Sequence, residues 1–373
     1  MTDNRLRFHN GKFKIMQISD TQDLRSSSPD TVRLIRMAVA AEKPDLVIFT
    51  GDQIYGIHPK LWTRDAVARI IDSILTPVAE YEAPFAVTFG NHDDECGISG
   101  PEQIGTLYSR YPAYTPGDRR ADDDPGTFRI PICGADGKPL FDVFAFDTHG
   151  SKVSATPSGV TAAQLEWFEK IRGEERAETG DAPPALVFQH IAVPEFYRVI
   201  RQVPKGTKDS VEAFGKRSHT FYALPDDIKA AGGFMKEAPS ISGDAEFETL
   251  KKDGGVLAVA VGHDHNNSFV ARYDGIDLIY TQGAGFHTYG PRLKRGVRVF
   301  VLDEEDPASY ETYTRTWENL TNERPSQPVK EFIISNTPSS IAQAKAWAKR
   351  SLPFTAAAGI GLAVLRAAIK KKP

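Results

Sequence analysis

Six side chains of the kinds that bind hard or borderline cations, Asp20, Asp52, Asn91, His190, His263 and His265, are scattered along the chain, yet each stands just beyond a run of apolar residues. They fall in short blocks: Asp20, Gly51-Asp52, Gly90-Asn91-His92-Asp93, His190 and Gly262-His263-Asp264-His265. Carboxylate, amide and imidazole ligands describe a site for hard or borderline cations, not for zinc held by thiolates. Two such ions about 3.5 to 4 Å apart can hold a hydroxide between them and clamp the attacking and leaving oxygens of an in-line displacement at phosphorus. That pair needs a bridging carboxylate. Asp52 suits the role, because Gly51 lets the backbone turn sharply at the strand end and leaves the carboxylate pointing into a cleft. Asp20 and His265 would complete one ion, with Asn91, His190 and His263 on the other. An extended segment puts His263 and His265 on one face and Asp264 on the opposite one. Asp264 then becomes a candidate for orienting an imidazole through its other N–H.

The elements that must position these residues are legible. Residues 14–19, 46–50, 85–89, 185–188 and 256–261 are short and mostly apolar, as strands buried on both faces tend to be. Helical patterns at 31–42 and about 61–82 separate the first three, which makes a βαβα order with right-handed crossovers. An α/β sheet of this kind gathers its ligand-binding loops at the strand ends.

These blocks resemble the calcineurin-like metallophosphoesterase superfamily. Glu42 to Asp52, Gly90-Asn91-His92-Asp93, Phe188 to Glu195 and Gly262-His263-Asp264-His265 are closest to its purple-acid-phosphatase-like branch, which includes plant proteins and a fungal phosphatase. The resemblance runs from about Lys14 to Asp303. It implies a four-layer α/β/β/α sandwich with two mixed β-sheets, a dinuclear centre of divalent or mixed-valence Fe, Mn or Zn, and hydrolysis of phosphate esters. It also gives Asn91 to a metal and leaves His92 facing the substrate, to protonate the leaving oxygen or stabilise charge developing on phosphate. Asp93 is expected to hold the His92 imidazole.

The superfamily usually opens with Asp-x-His, whereas this chain reads Asp20-Thr21-Gln22. The neutral amide of Gln22 is a weaker ligand than imidazole and would hold the first metal poorly. Purple acid phosphatases, which also lack that histidine, use the tyrosine of Gly-Asp-x-x-Tyr on ferric iron, and Gly51-Asp52-Gln53-Ile54-Tyr55 matches that pattern. Tyr55 is therefore either a tyrosinate ligand or an aromatic packed under the loop. Asp23 is a further substitute ligand. His58, His149, His219 and His287 read as ordinary loop residues, although His287 follows a strand pattern near the cleft.

With 373 residues and motifs spread over most of them, one catalytic domain at 1–317 is favoured, with insertions near 101–146 and 197–246. The first insertion carries two strands around Gly134 to Gly137, and the second reads as an irregular loop over the cleft. A helical pattern at 161–178 lies between them. In the second insertion Lys205, Lys208, Lys216 and Arg217 form a basic face that either meets a phosphorylated substrate or is simply solvated. A net charge of −4 gives no footprint for nucleic acid. Two cysteines and an N-terminus without a signal-peptide pattern make the cytoplasm the default location.

Residues 318–337 read as a linker and 338–373 as a basic, apolar helical tail. The tail is too short in its apolar run to span a bilayer, and it suits either peripheral contact with an anionic membrane or docking on protein. Oligomeric state is not readable. The leading functional expectation is a dinuclear phosphohydrolase in which a metal-bridging hydroxide attacks phosphorus with His92 assisting. A phosphomonoesterase is favoured over a phosphodiesterase because the nearest branch suggests it. The rival is a protein that keeps the fold but serves as a binding or regulatory module, and Gln22 is the residue that favours it.

Overall fold

Alternation along the buried strands determines how the layers stack. In the strand Lys12–Ile18, Phe13 and Ile15 point to one side and Met16 and Ile18 to the other; in Leu46–Thr50, Leu46 and Ile48 oppose Val47 and Phe49. One set packs under the helices Pro29–Glu42 and Arg64–Ala79, and the other meets a second sheet. The computed structural model describes residues 5–23, 27–56, 60, 62–150, 159–243 and 245–336. His58 and the 338–373 tail lie outside them.

The first sheet has five strands, in the order Tyr310–Thr316, Gly296–Asp303, Lys12–Ile18, Leu46–Thr50, Phe85–Thr88. The last three are parallel and the first two antiparallel. The second sheet is built around the parallel run Pro139–Phe146, Ala185–Gln189, Val256–Val261, Ile276–Tyr280, flanked by the antiparallel strands Asp124–Cys133 and Asn267–Tyr273. Between the sheets lies an apolar layer that includes Ile15, Ile48, Phe141, Val143 and Phe188, with the Phe188 ring edge-on to Phe300 at 5.2 Å. The helices Ala162–Thr179 and Glu246–Asp253 cover the far side of the second sheet. This is the expected four-layer α/β/β/α sandwich of two mixed sheets.

Local chemistry explains where the helices begin. Ser28 caps the first, accepting from the Asp30 N–H, and Thr63 caps the second, accepting from the Ala66 N–H. Thr161 and Gln164 form a capping box on the third, and Gly180, at φ 89°, closes it.

Three segments differ from expectation. The hairpin Asp124–Cys133/Pro139–Phe146, expected within an insertion, forms part of the second sheet, its second strand lying parallel to the one that carries His190. The 197–246 region, expected to be irregular, carries a small antiparallel sheet of Arg201–Val203, Val211–Glu212 and Phe221–Ala223. There Lys205, Lys208 and Lys216 are exposed, while the Arg217 guanidinium stacks 4.2 Å from the Tyr197 ring. The 318–337 segment, expected to be a linker, is pinned to the domain. Ser326 donates to Asp30, and a helix follows at Pro328–Ser335. Among the described residues no helix is long and apolar enough to cross a membrane.

Candidate metal centre

Both sheets deliver their strand ends to one cleft. Gly51, at φ 95°, and Asp52, at φ 52°, turn the chain back on itself directly after Thr50. A Cβ on Gly51 would lie 2.5 Å from the Gly90 nitrogen, and one on Gly90 would lie 2.3 Å from Asp52 Oδ1, so the two loops approach at a distance only glycine allows.

Asp52 stands at the centre. Its Oδ2 is 3.3 Å from His190 Nε2, and His190 Nε2 is 3.2 Å from His263 Nδ1. These three form one group of potential ligands, and Asp20, Asp52 and His265 form a second, with the ligand atoms of each group within 4.8 Å of one another. Asp20 Oδ1 is 3.2 Å from His265 Nε2, while its Oδ2 accepts from Ser19 Oγ and from the His263 N–H. Asp52 belongs to both groups. The backbone around the histidine pair is not extended, because His263 adopts φ 68°; its imidazole joins the His190 group and that of His265 the Asp20 group.

Two of the three imidazoles are oriented from behind. His190 Nδ1 donates to the Thr50 carbonyl at 2.9 Å and His265 Nδ1 to the Tyr289 carbonyl at 2.9 Å, which turns both Nε2 atoms inward as potential ligands. The His265 ring also stacks on that of Tyr289, with centroids 4.1 Å apart. Asp264 plays no part in this. It accepts from the Tyr280 hydroxyl and the Ser240 N–H, and so ties the strand end to the neighbouring loop instead of orienting a histidine.

The residues fit metal ions. Asn91 Oδ1 is a buried acceptor without a hydrogen-bond donor, an arrangement that is costly unless a cation completes it, and Asp20 Oδ1 faces only the His265 ring. Electrostatics agree. Burial by itself would raise the Asp52 carboxyl, but the imidazoles of His190 and His92 outweigh it and hold it well below the ordinary range. Burial opposes a charge on His190, yet Asp52 and Asp20 push it up to about 10, whereas burial and the neighbouring His190 push His263 down to about 3. Without metal, a proton on His190 partly balances the carboxylates.

Gln22 contacts the shared carboxylate, while Tyr55 and Asp23 make contacts beside the two groups. Gln22 Nε2 donates to Asp52 Oδ2 at 2.7 Å, and its Oε1 accepts from the Thr288 hydroxyl at 2.8 Å. Tyr55 lies against His92 with ring centroids 4.9 Å apart, and burial together with Glu95 raises its phenol above the usual value. Asp23 accepts from the Ser28 N–H and pairs with His287 at 3.3 Å.

His92 and Asp93 divide their work differently from expectation. Asp93 does not hold the imidazole. Its carboxylate accepts from the backbone N–H groups of Asp52, Gln53, Ile54 and Gly90, and so welds the two ligand loops together. The imidazole is held instead by Glu95, which meets Nδ1 at 2.5 Å. The His92 backbone N–H donates to Asp52 Oδ1 at 2.9 Å, placing His92 beside the bridging carboxylate. Glu95 was readable from its i+3 spacing to His92 in a tight turn. Thr50 and Tyr289, which act through carbonyls, leave no such signal.

Asp124, Asp147 and His149 form a third compact group. Asp124 is engaged by Arg120 and Thr127, and His149 by Asp147. His219 is exposed and 3.4 Å from Glu212.

The chain is similar to known proteins in both sequence and fold. The family model described as calcineurin-like phosphoesterase matches residues 13–267. A probable inactive purple acid phosphatase 14 from Arabidopsis thaliana is 30% identical over 324 residues, covering 76% of this chain and 74% of the relative. A second Arabidopsis protein, probable inactive purple acid phosphatase 28, is 28% identical over 90% of this chain and 87% of its own length. A solved dimetal phosphatase from Danio rerio shares the fold, with a TM-score of 0.52 and 15% identity, over 82% of this chain and 99% of that one.

Proposed function

The chain belongs to the calcineurin-like phosphoesterase family, and from that premise we propose that it is a dinuclear metal-dependent hydrolase of phosphate monoesters. The observation that carries this reading is the sharing of Asp52 by two groups of ligands, His190 with His263 and Asp20 with His265. Asn91, whose buried Oδ1 has no hydrogen-bond donor, would be a further ligand beside the first of these groups. Bound there, two ions would supply positive charge for the phosphate oxygens and an acidified water as nucleophile.

The chain's own residues do the rest. Asp93 fixes the Asp52 and Gly90 loops so that the ligands are held before substrate arrives. Glu95 fixes the His92 ring through Nδ1, which places the other edge of the imidazole for proton delivery to the leaving oxygen. His190 and His265, locked by backbone carbonyls, cannot rotate away when the site is empty.

A second reading rests on Gln22. Its N–H occupies Asp52 Oδ2, and two relatives carry the word inactive in their names. In that reading the fold is kept for binding a phosphorylated partner. Turnover of p-nitrophenyl phosphate and bis-p-nitrophenyl phosphate after reconstitution with Fe, Mn or Zn separates the alternatives. Monoester turnover exceeding diester turnover supports the proposal, the reverse order makes the chain a diesterase, and metal uptake without turnover of either supports a binding module.

A further inference from the structure

The buried side chain of Arg295 connects the helix Pro328–Ser335 to one half of the metal centre. Burial pushes its guanidinium down to about 10, so it still carries its charge at neutral pH. The groups it holds in the loop are backbone oxygens. Nη1 donates to the Gly285 carbonyl and, at 3.3 Å, to that of Tyr289, while Nη2 donates to the Thr288 carbonyl at 2.8 Å. The helix fixes the same guanidinium from the other side. Nη2 donates to Ser335 Oγ at 3.0 Å, Ser335 donates in turn to the buried Glu331 at 2.6 Å, and Glu331 lies 4.0 Å from Arg295 Nε. A Cβ on Gly290 would lie 2.3 Å from Nη1, so the loop closes on the guanidinium with no room for a larger residue.

Each of the three residues whose carbonyl Arg295 holds touches the Asp20 and His265 side of the centre. The Gly285 N–H donates to the Asp20 carbonyl at 3.1 Å, and the Thr288 hydroxyl donates to Gln22 Oε1 at 2.8 Å. Tyr289 stacks on the His265 ring, and its carbonyl accepts from His265 Nδ1 at 2.9 Å, so a single oxygen receives both His265 and Arg295. The His190 and His263 side leans on this loop far less. His190 is held by the Thr50 carbonyl, and His263 meets the loop through a 3.4 Å contact between its own carbonyl and the Tyr289 hydroxyl. A guanidinium suits this task because its donors form a rigid planar fork, which keeps several carbonyls in fixed relation to one another.

We propose that Arg295, itself set by Ser335 and Glu331, is a positioning residue for the ion at Asp20 and His265 and not for the ion at His190 and His263. The inference rests on the dinuclear reading. It makes the helix Pro328–Ser335 part of the working site, although the family model's match ends at residue 267. The test is calorimetric titration of Zn into the full-length metal-free protein and into His190→Ala and His265→Ala backgrounds, each of which leaves one ion. Arg295→Lys keeps the charge but loses the fork. It should weaken the ion that remains in the His190→Ala background about tenfold and leave the ion in the His265→Ala background unchanged. Ser335→Ala, a change on the helix, removes one hydrogen bond to Arg295 and should act in the same direction by roughly twofold to fivefold. It replaces Arg295→Lys should that variant not fold. Equal weakening in both backgrounds, or in neither, overturns the inference, while two ions in the wild type leave the dinuclear reading standing. A wild type that takes up no Zn overturns both.

Discussion

Gln22 Nε2 lies 2.7 Å from Asp52 Oδ2, the carboxylate common to both ligand groups, and Gln22 Oε1 is turned to Thr288. The amide therefore spends a hydrogen bond on the shared carboxylate, at the edge of both ligand groups. Replacing it should be informative. A Gln22→His variant is expected to bind the first metal at least about tenfold more tightly, because imidazole is the stronger ligand. Calorimetric titration with Mn or Zn checks this, and an unchanged isotherm would show that Gln22 is not at the metal position.

His92 and Glu95 should act as a unit. His92→Asn is expected to lower monoester turnover by roughly 10²- to 10⁴-fold, the usual worth of a positioned acid. Glu95→Gln should cost less and alter the pH profile, since it leaves the ring in place but weakens its anchor. Metal content should be unchanged in both, which elemental analysis on the same samples establishes.

Asp93→Asn tests the weld between the loops. An amide presents one acceptor oxygen and one NH₂ to a set of backbone donors that the carboxylate accepts with both oxygens. Donors left unsatisfied cost about 1–3 kcal/mol each, so a clear fall in the urea midpoint is expected along with poorer metal retention.

Metal uptake should release protons. In the metal-free protein Asp52 and Asp20, working against burial, push His190 up to about 10, so at neutral pH it is protonated, whereas a ligand imidazole must be neutral. Affinity should therefore rise with pH across the neutral range. Titration of metal into weakly buffered protein should acidify it, and pH-independent affinity would argue that His190 is not a ligand.

At the opposite end of the second sheet, Asp253 pairs with the fully buried Arg172 and with Arg176. Burial raises the Asp253 carboxyl, but the hydrogen bonds from Arg172 and Arg176 and their charges win, and it sits below its ordinary value. A group with a lowered folded-state pKa contributes stability above its unfolded value, about 4, and loses it as pH falls through the folded value. Asp253→Asn should thus lower stability at pH 7, by at most the 3–5 kcal/mol or so of a broken buried pair since Asp142 and Glu175 still contact Arg172. The difference from wild type should shrink in acid, as urea melts at both pH values would show.

What was legible in the sequence follows from what is local. The apolar runs ending at Thr50 and Val261 and the candidate ligand blocks beyond them were readable because a strand buried on both faces and a polar turn each leave a short pattern. The assignment of Asp93 to His92 failed because adjacency in sequence is a poor guide in a tight turn, where Glu95 at i+3 reaches the ring and Asp93 reaches backbone donors from two loops. Asp264 failed similarly, as Tyr280 comes from another strand. The hairpin at 124–146 looked like an insertion because nothing in its sequence shows that the strand 139–146 pairs with 185–189. The inward-facing Glu331 was invisible because its partners, Arg292 and Arg295, come from a distant loop.

The most direct test of a dinuclear centre bridged by Asp52 is metal content by elemental analysis of reconstituted full-length protein and of its Asp52→Ala variant. About two ions per chain in the wild type, with both lost in the variant, is the expected result, because both ligand groups share that carboxylate. Wild-type protein that binds no metal after reconstitution, or a variant that keeps its full complement, would contradict it.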